Sequence, residues 1–131
     1  MIKKGMIAIV FIMTVMALTA CGSSAPGPQE VYESYNAAMD NGDVEEALKY
    51  ISDDATWKVP VGTLEGKDKI GEFFQQSIDM EGSSKTENCV VEGTEMNCDF
   101  EIVFGTTTVT GNLKVTVEDG LITDYDFMIS Q

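Results

Sequence analysis

The chain contains no histidine and no arginine. Without histidine there is no Ser-His-Asp or Cys-His catalysis and no imidazole-ligated metal, and without arginine there is no bidentate clamp for phosphate or carboxylate. Positive charge of any kind is scarce, with 8 lysines against 22 acidic residues. Such a surface repels nucleic acid and anionic headgroups, so neither is a partner through a basic face. Tryptophan occurs once, at Trp57. No residue pattern points to a metal or a cofactor.

The one long apolar run is at the start. Lys3 and Lys4 precede an almost unbroken apolar segment, Met6 to Leu18, which is shorter than the roughly 20 residues a bilayer span needs. It reads as a signal peptide over residues 1–20. Leu18-Thr19-Ala20-Cys21 then matches the bacterial lipobox, in which the cysteine is acylated and becomes the first residue of the mature chain. The alternative is a plain secretory signal with an incidental cysteine. The lipobox reading predicts a protein held at the outer face of the bacterial cell membrane by lipid on Cys21. What remains is 131 − 20 = 111 residues, enough for one domain, with a formal charge of 6 − 22 = −16. Residues 21–29 carry the lipid site and a Gly/Ser/Pro-rich tether, GSSAPGPQ, whose eight residues reach at most about 25 Å. The folded domain spans 30–131.

Apolar periodicity predicts a first helix over about Pro28 to Asn41, with Val31, Tyr35, Ala38 and Met39 inward and Gly42 ending it. Asp43 caps the next helix, with Glu46 placed as in a capping box. The acidic cluster Asp40, Asn41, Asp43, Glu45 lacks calcium-loop spacing, and capping accounts for it. A strand over Ala55 to Val59 follows, then a turn and a helix with Ile70, Phe73 and Phe74 inward.

From Thr86 the period becomes two. Turns at Gly93-Thr94 and Gly105-Thr106 set Val91 opposite Met96, Cys89 opposite Cys98, Phe100 opposite Gly111 and Ile102 opposite Val109. For the last hairpin a three-residue loop, Glu118 to Gly120, sets Val117 opposite Leu121, Leu113 opposite Tyr125 and Val109 opposite Ile129. A two-residue loop at Asp119-Gly120 would instead oppose apolar residues to aspartates, and the three-residue loop is preferred. The even positions from Met96 to Phe104, and Val109, Leu113, Val115, Val117, Leu121, Tyr125, Phe127 and Ile129, then share one face. The opposite face is polar apart from scattered Val90, Val103, Ile122 and Met128, which favours a monomer. Cys89 and Cys98 face one another across the first hairpin, and an exported protein permits a disulfide there; the alternative is two small buried thiols.

The order helix, strand, turn, helix in DVEEALKYISDDATWKVPVGTLEGKDKIGEFF, followed by the meander, resembles the SnoaL-like branch of the nuclear-transport-factor-2-like superfamily. The resemblance implies an α+β, cone-shaped fold in which three N-terminal helices pack on the concave face of a curved, mostly antiparallel sheet. Within that superfamily SYNAAMDNGD, SDDATWKVPVG and the GKDKIGEFF helix are most similar to bacterial ketosteroid isomerases. Tyr35 stands where those enzymes place the tyrosine that donates to the substrate oxyanion. Their general base, an aspartate, is replaced by Val59, and their second, protonated aspartate by Leu113. Neither side chain moves a proton, so the reading leans away from catalysis.

What remains is an apolar cone. Tyr35, Trp57, Val59, Phe73, Phe74, Phe100, Leu113, Tyr125 and Phe127 are the expected ligand-binding set for a small apolar molecule. Two alternatives stay open. One is an isomerase- or cyclase-type enzyme using Tyr35 with Asp40 or Asp54 from the rim. The other is a protein-interaction module in which the same aromatics fill the core.

Overall fold

Helix α1, Pro28–Asp40, starts on a proline in its first turn, where no intrahelical N–H is needed, and ends at Gly42 with φ +70°. A computed structural model describes this and the rest of residues 26–80 and 82–130; the signal segment and Cys21 lie outside the described residues. Val31, Tyr35 and Ala38 are buried as the periodicity requires, and Tyr32 is buried beside them. Asp43 caps α2, Val44–Leu48, by accepting from the Glu46 amide at 3.0 Å. The expected reciprocal bond gives way to another arrangement, because the Glu46 carboxylate takes Lys49 at 2.8 Å and the Tyr50 hydroxyl at 3.4 Å.

The strand expected at Ala55 to Val59 is longer, β1 at Ile51–Val59, and it folds back into a short β2, Gly62–Glu65, in place of the expected turn. Helix α3, Lys67–Ile78, buries Ile70, Gly71 and Phe74. Strands β3 (Ser83–Glu92), β4 (Glu95–Phe104), β5 (Thr107–Glu118) and β6 (Leu121–Ile129) form the meander. The six strands lie in the order β2-β1-β6-β5-β4-β3, antiparallel except where β1 runs parallel to β6. Helix α1 packs on β4, β5 and β6, and α3 on β1 and β2. This is the α+β arrangement of three helices on a sheet.

The first two turns and their register are as expected: Val91 opposes Met96, Phe100 opposes Gly111 and Ile102 opposes Val109. A bulge at Asn88, φ +53°, shifts β3 by one residue beyond the cysteines. Asn tolerates the left-handed region, and Asp99 holds the bulge by accepting from Asn88 at 2.9 Å and from Asn112 at 2.6 Å.

The last hairpin departs from the expectation. Its loop is the two-residue Asp119-Gly120 turn, with φ +53° and +77°, so Glu118 opposes Leu121 and Val117 opposes Ile122. One extra residue in β6 then moves the register, and Thr116 faces Asp124, Val115 faces Tyr125 and Leu113 faces Phe127. The bulge lets Ile122 and Tyr125, an odd number of residues apart, share the inner face. Ile122, expected outside, is fully buried. The apolar-to-aspartate clash that argued against a two-residue loop never arises, because the bulge resets alternation before Asp124.

Candidate functional site

Burial along the inner face is graded, and the gradient runs the same way in four strands. In β4 the exposure rises from 1% at Met96 to 39% at Phe104, and in β6 from 0% at Ile122 to 45% at Ile129. Strand β5 descends from buried Val115 and Leu113 to half-buried Val109, and β1 runs from buried Ile51, Ala55 and Trp57 to half-buried Val59. Because β1 and β6 are parallel while β4 and β5 alternate in direction, all the open positions fall at one end of the sheet. The cone therefore has a closed end, which carries the turns at 93–94 and 119–120, and an open end, where Gly105-Thr106 lies.

The expected site residues are brought together, but at two depths. Deep in the cone the rings of Trp57 and Tyr125 stack at 4.1 Å with an interplanar angle of 3°. Tyr35 sits 5.6 Å from Trp57 and 5.5 Å from Phe74, and Trp57 lies 5.2 Å edge-on to Phe74. Leu113 and Phe100 are buried with them. Nearer the opening, Val59, Phe73 and Phe127 are half-buried, with Phe127 stacked on Phe100 at 4.0 Å. Gly111 makes that stack possible: a Cβ there would meet the Phe100 ring at 2.7 Å and strike the Met128 carbonyl. Ile102, Val109, Phe104 and Ile129 complete the mouth. Alternation places them inward without marking them as ligand contacts, and their position at the outer ends of the hairpins is the available signal.

Two clefts lie elsewhere. One of about 200 Å³ is lined by Tyr32, Glu33, Asn36, Asp40, Thr86 and Cys89 among others, between α1 and the β3-β4 hairpin. A second, of about 470 Å³, lies between Pro26–Pro28 and the two closed-end turns. Neither is lined by any of the nine expected ligand-binding residues.

The interior carries phenols and no charge. Among the described residues no polar or charged side chain other than tyrosine is buried. Burial, with a smaller contribution from Asp40, pushes the Tyr32 phenol up to about 12 even though neighbouring Thr86 and Tyr125 pull it down. Burial likewise raises Tyr35 and Tyr125 well above the ordinary phenol range, each reinforced by neighbouring tyrosines. These phenols are neutral at any physiological pH, able to donate a hydrogen bond and unable to act as bases. Asp54 is exposed and accepts from Ser52 at 2.6 Å, and Asp40 lines the α1 cleft. Among the described residues no group of three carboxylates or thiols is arranged to hold a metal ion. Cys89 and Cys98 are joined as a disulfide across the first hairpin.

The SnoaL-like domain family matches residues 32–125. An NTF2-like protein of Cytophaga hutchinsonii superposes with a TM-score of 0.71 at 16% identity, over 83% of this chain and 95% of that one. TerC, solved with polyporic acid, superposes with a TM-score of 0.67 at 19% identity, over 78% and 90%. A designed protein with a curved β-sheet does so with a TM-score of 0.67 at 20% identity, over 78% and 84%. No curated protein sequence matches the chain.

Proposed function

The chain belongs to the SnoaL-like family, and on that premise we propose that it is a lipid-anchored, extracytoplasmic binding domain without catalytic activity that takes a small apolar molecule at the open end of its cone. The observation that carries this reading is the burial gradient. Apolar side chains from four strands and α3 continue past the packed core, leaving Val59, Phe73, Ile102, Val109, Phe127 and Ile129 partly in contact with water. A monomeric domain keeps such contiguous apolar surface where it binds something. In this reading the deep aromatics Tyr35, Trp57, Phe74, Phe100 and Tyr125, with Leu113, form a rigid floor, and Val59, Phe73 and Phe127 make the contact. TerC, a fold neighbour, was crystallised with polyporic acid, a precedent for a small aromatic ligand on this scaffold.

The chemistry of the floor supports binding over turnover. By the resemblance to ketosteroid isomerases, Val59 and Leu113 take the places of their carboxylates, and among the described residues no buried side chain accepts a proton near neutrality. The lipobox at Cys21 supports the anchor and the polar outer sheet face supports a monomer. The tight packing of Trp57 on Tyr125 favours a second reading, a filled interaction module whose mouth receives an apolar side chain of a protein partner.

Native mass spectrometry of the domain, secreted by its own host as the Cys21→Ser variant, separates the two. A small molecule retained under gentle ionisation and lost on activation supports the first. A bare domain mass, together with no saturable uptake of a fatty acid or steroid, overturns it.

A further inference from the structure

We propose that the cone stands on the membrane with its closed end down, so that its mouth opens away from the bilayer and is loaded from the aqueous side by an amphiphile, and not by a lipid drawn from the membrane beneath it. This rests on the reading of Cys21 as the lipid site and of the mouth as the ligand site. Pro26, Gly27 and Pro28 lie against Gly93, Thr94, Asp119 and Gly120, so the chain leaves the domain at the closed end. From Cys21 to Gly27 the chain reaches at most about 20 Å at ~3.3 Å per residue. The ten residues of β4, Glu95–Phe104, put the mouth about 30 Å farther on at ~3.3 Å per residue. An inverted domain would need its tether to cross those 30 Å, and the tether is too short. Charge works against the tether without lengthening it: Glu92, Glu118 and Asp119 are exposed at the closed end, where Lys114 is bridged to Glu95 at 3.2 Å. Anionic headgroups repel those carboxylates within a Debye length of about 8–10 Å, which holds the closed end off the surface and the tether extended, while the tether's length alone sets the orientation.

The test uses the full lipidated protein on phosphatidylglycerol-containing vesicles carrying an energy-transfer acceptor on the headgroups. With Cys21 acylated and Cys89 bridged to Cys98, a cysteine added at Thr94 or Thr106, both exposed turn positions, is the single free thiol for a donor dye. Thr94→Cys should lose donor intensity strongly and Thr106→Cys little, and a flexible insertion of about 20 Gly/Ser residues after Ala25 should erase the difference. Equal loss at both positions, or greater loss at 106, in the unextended protein overturns the orientation. Failure of the protein to float with vesicles overturns the anchor, and the orientation with it. The predicted transfer pattern without uptake of an added fatty acid by the vesicle-bound protein leaves the orientation standing and rejects the ligand reading.

Discussion

Trp57 of β1 and Tyr125 of β6 are register partners across the single parallel seam of the sheet, and their rings stack at 4.1 Å. Parallel pairing is slightly weaker per residue than antiparallel pairing, so a stacked aromatic pair at this seam ties β1 and its helices to the meander. Trp57→Ala removes a fully buried indole and should lower stability by about 3–5 kcal/mol. Urea unfolding checks this. A loss below about 1 kcal/mol would show that the seam does not depend on the stack.

Gly111 faces Phe100 with no room for a side chain. Gly111→Ala should cost about 1–3 kcal/mol, because the flexible ring can move but the Met128 carbonyl is backbone. The near-ultraviolet circular dichroism from the Phe100-Phe127 stack should change with it. An unchanged spectrum and midpoint would contradict the packing described.

The buried phenols set an alkaline limit. Tyr32 titrates near 10 in the unfolded chain and about 12 when folded, and Tyr35 and Tyr125 are raised further. The folded state therefore holds more protons than the unfolded state above pH 10, and stability falls as pH rises from about 10 through 12. Below 10 these groups contribute no pH dependence. The tyrosinate absorbance of Tyr32, Tyr35 and Tyr125 should appear only as the domain unfolds cooperatively. Gradual ionisation of Tyr32, Tyr35 and Tyr125 in a folded protein would show that these phenols are accessible.

The disulfide closes a short loop, so Cys89→Ser with Cys98→Ser should cost about 2–3 kcal/mol and leave the fold intact. A change in mass of two protons on reduction, with the corresponding shift in unfolding midpoint, checks it. Loss of folding altogether would mean that the hairpin depends on the bridge.

Much of this architecture was legible from alternation. Gly93-Thr94 and Gly105-Thr106 announced their turns, and the facing cysteines followed from the first. The last hairpin was not legible, because Leu121 and Ile122 are adjacent apolar residues and either can be taken as the inward one. The bulge that decides between them leaves no residue signature. Strand β2 has four residues and too little pattern to show. The site was legible as a face but not as a depth: period two places Phe100 and Phe104 on the same side without showing that one is core and the other rim. That grading comes from where α1 and α3 lie over the sheet, which no strand's own sequence contains.

Two adjacent residues of β6 test binding at the mouth. Ile129 faces the mouth and Met128 the outer face, and they are almost equally exposed at 45% and 48%. The emission of the only tryptophan, Trp57, or displacement of a fluorescent fatty acid, reads the affinity of the soluble domain for an apolar ligand. Ile129→Glu should weaken binding roughly tenfold, from about 50 Å² of lost apolar contact at ~25 cal/mol/Å². Met128→Glu should leave it unchanged. Equal effects of the two substitutions, or no saturable binding by the unaltered domain, would contradict the account.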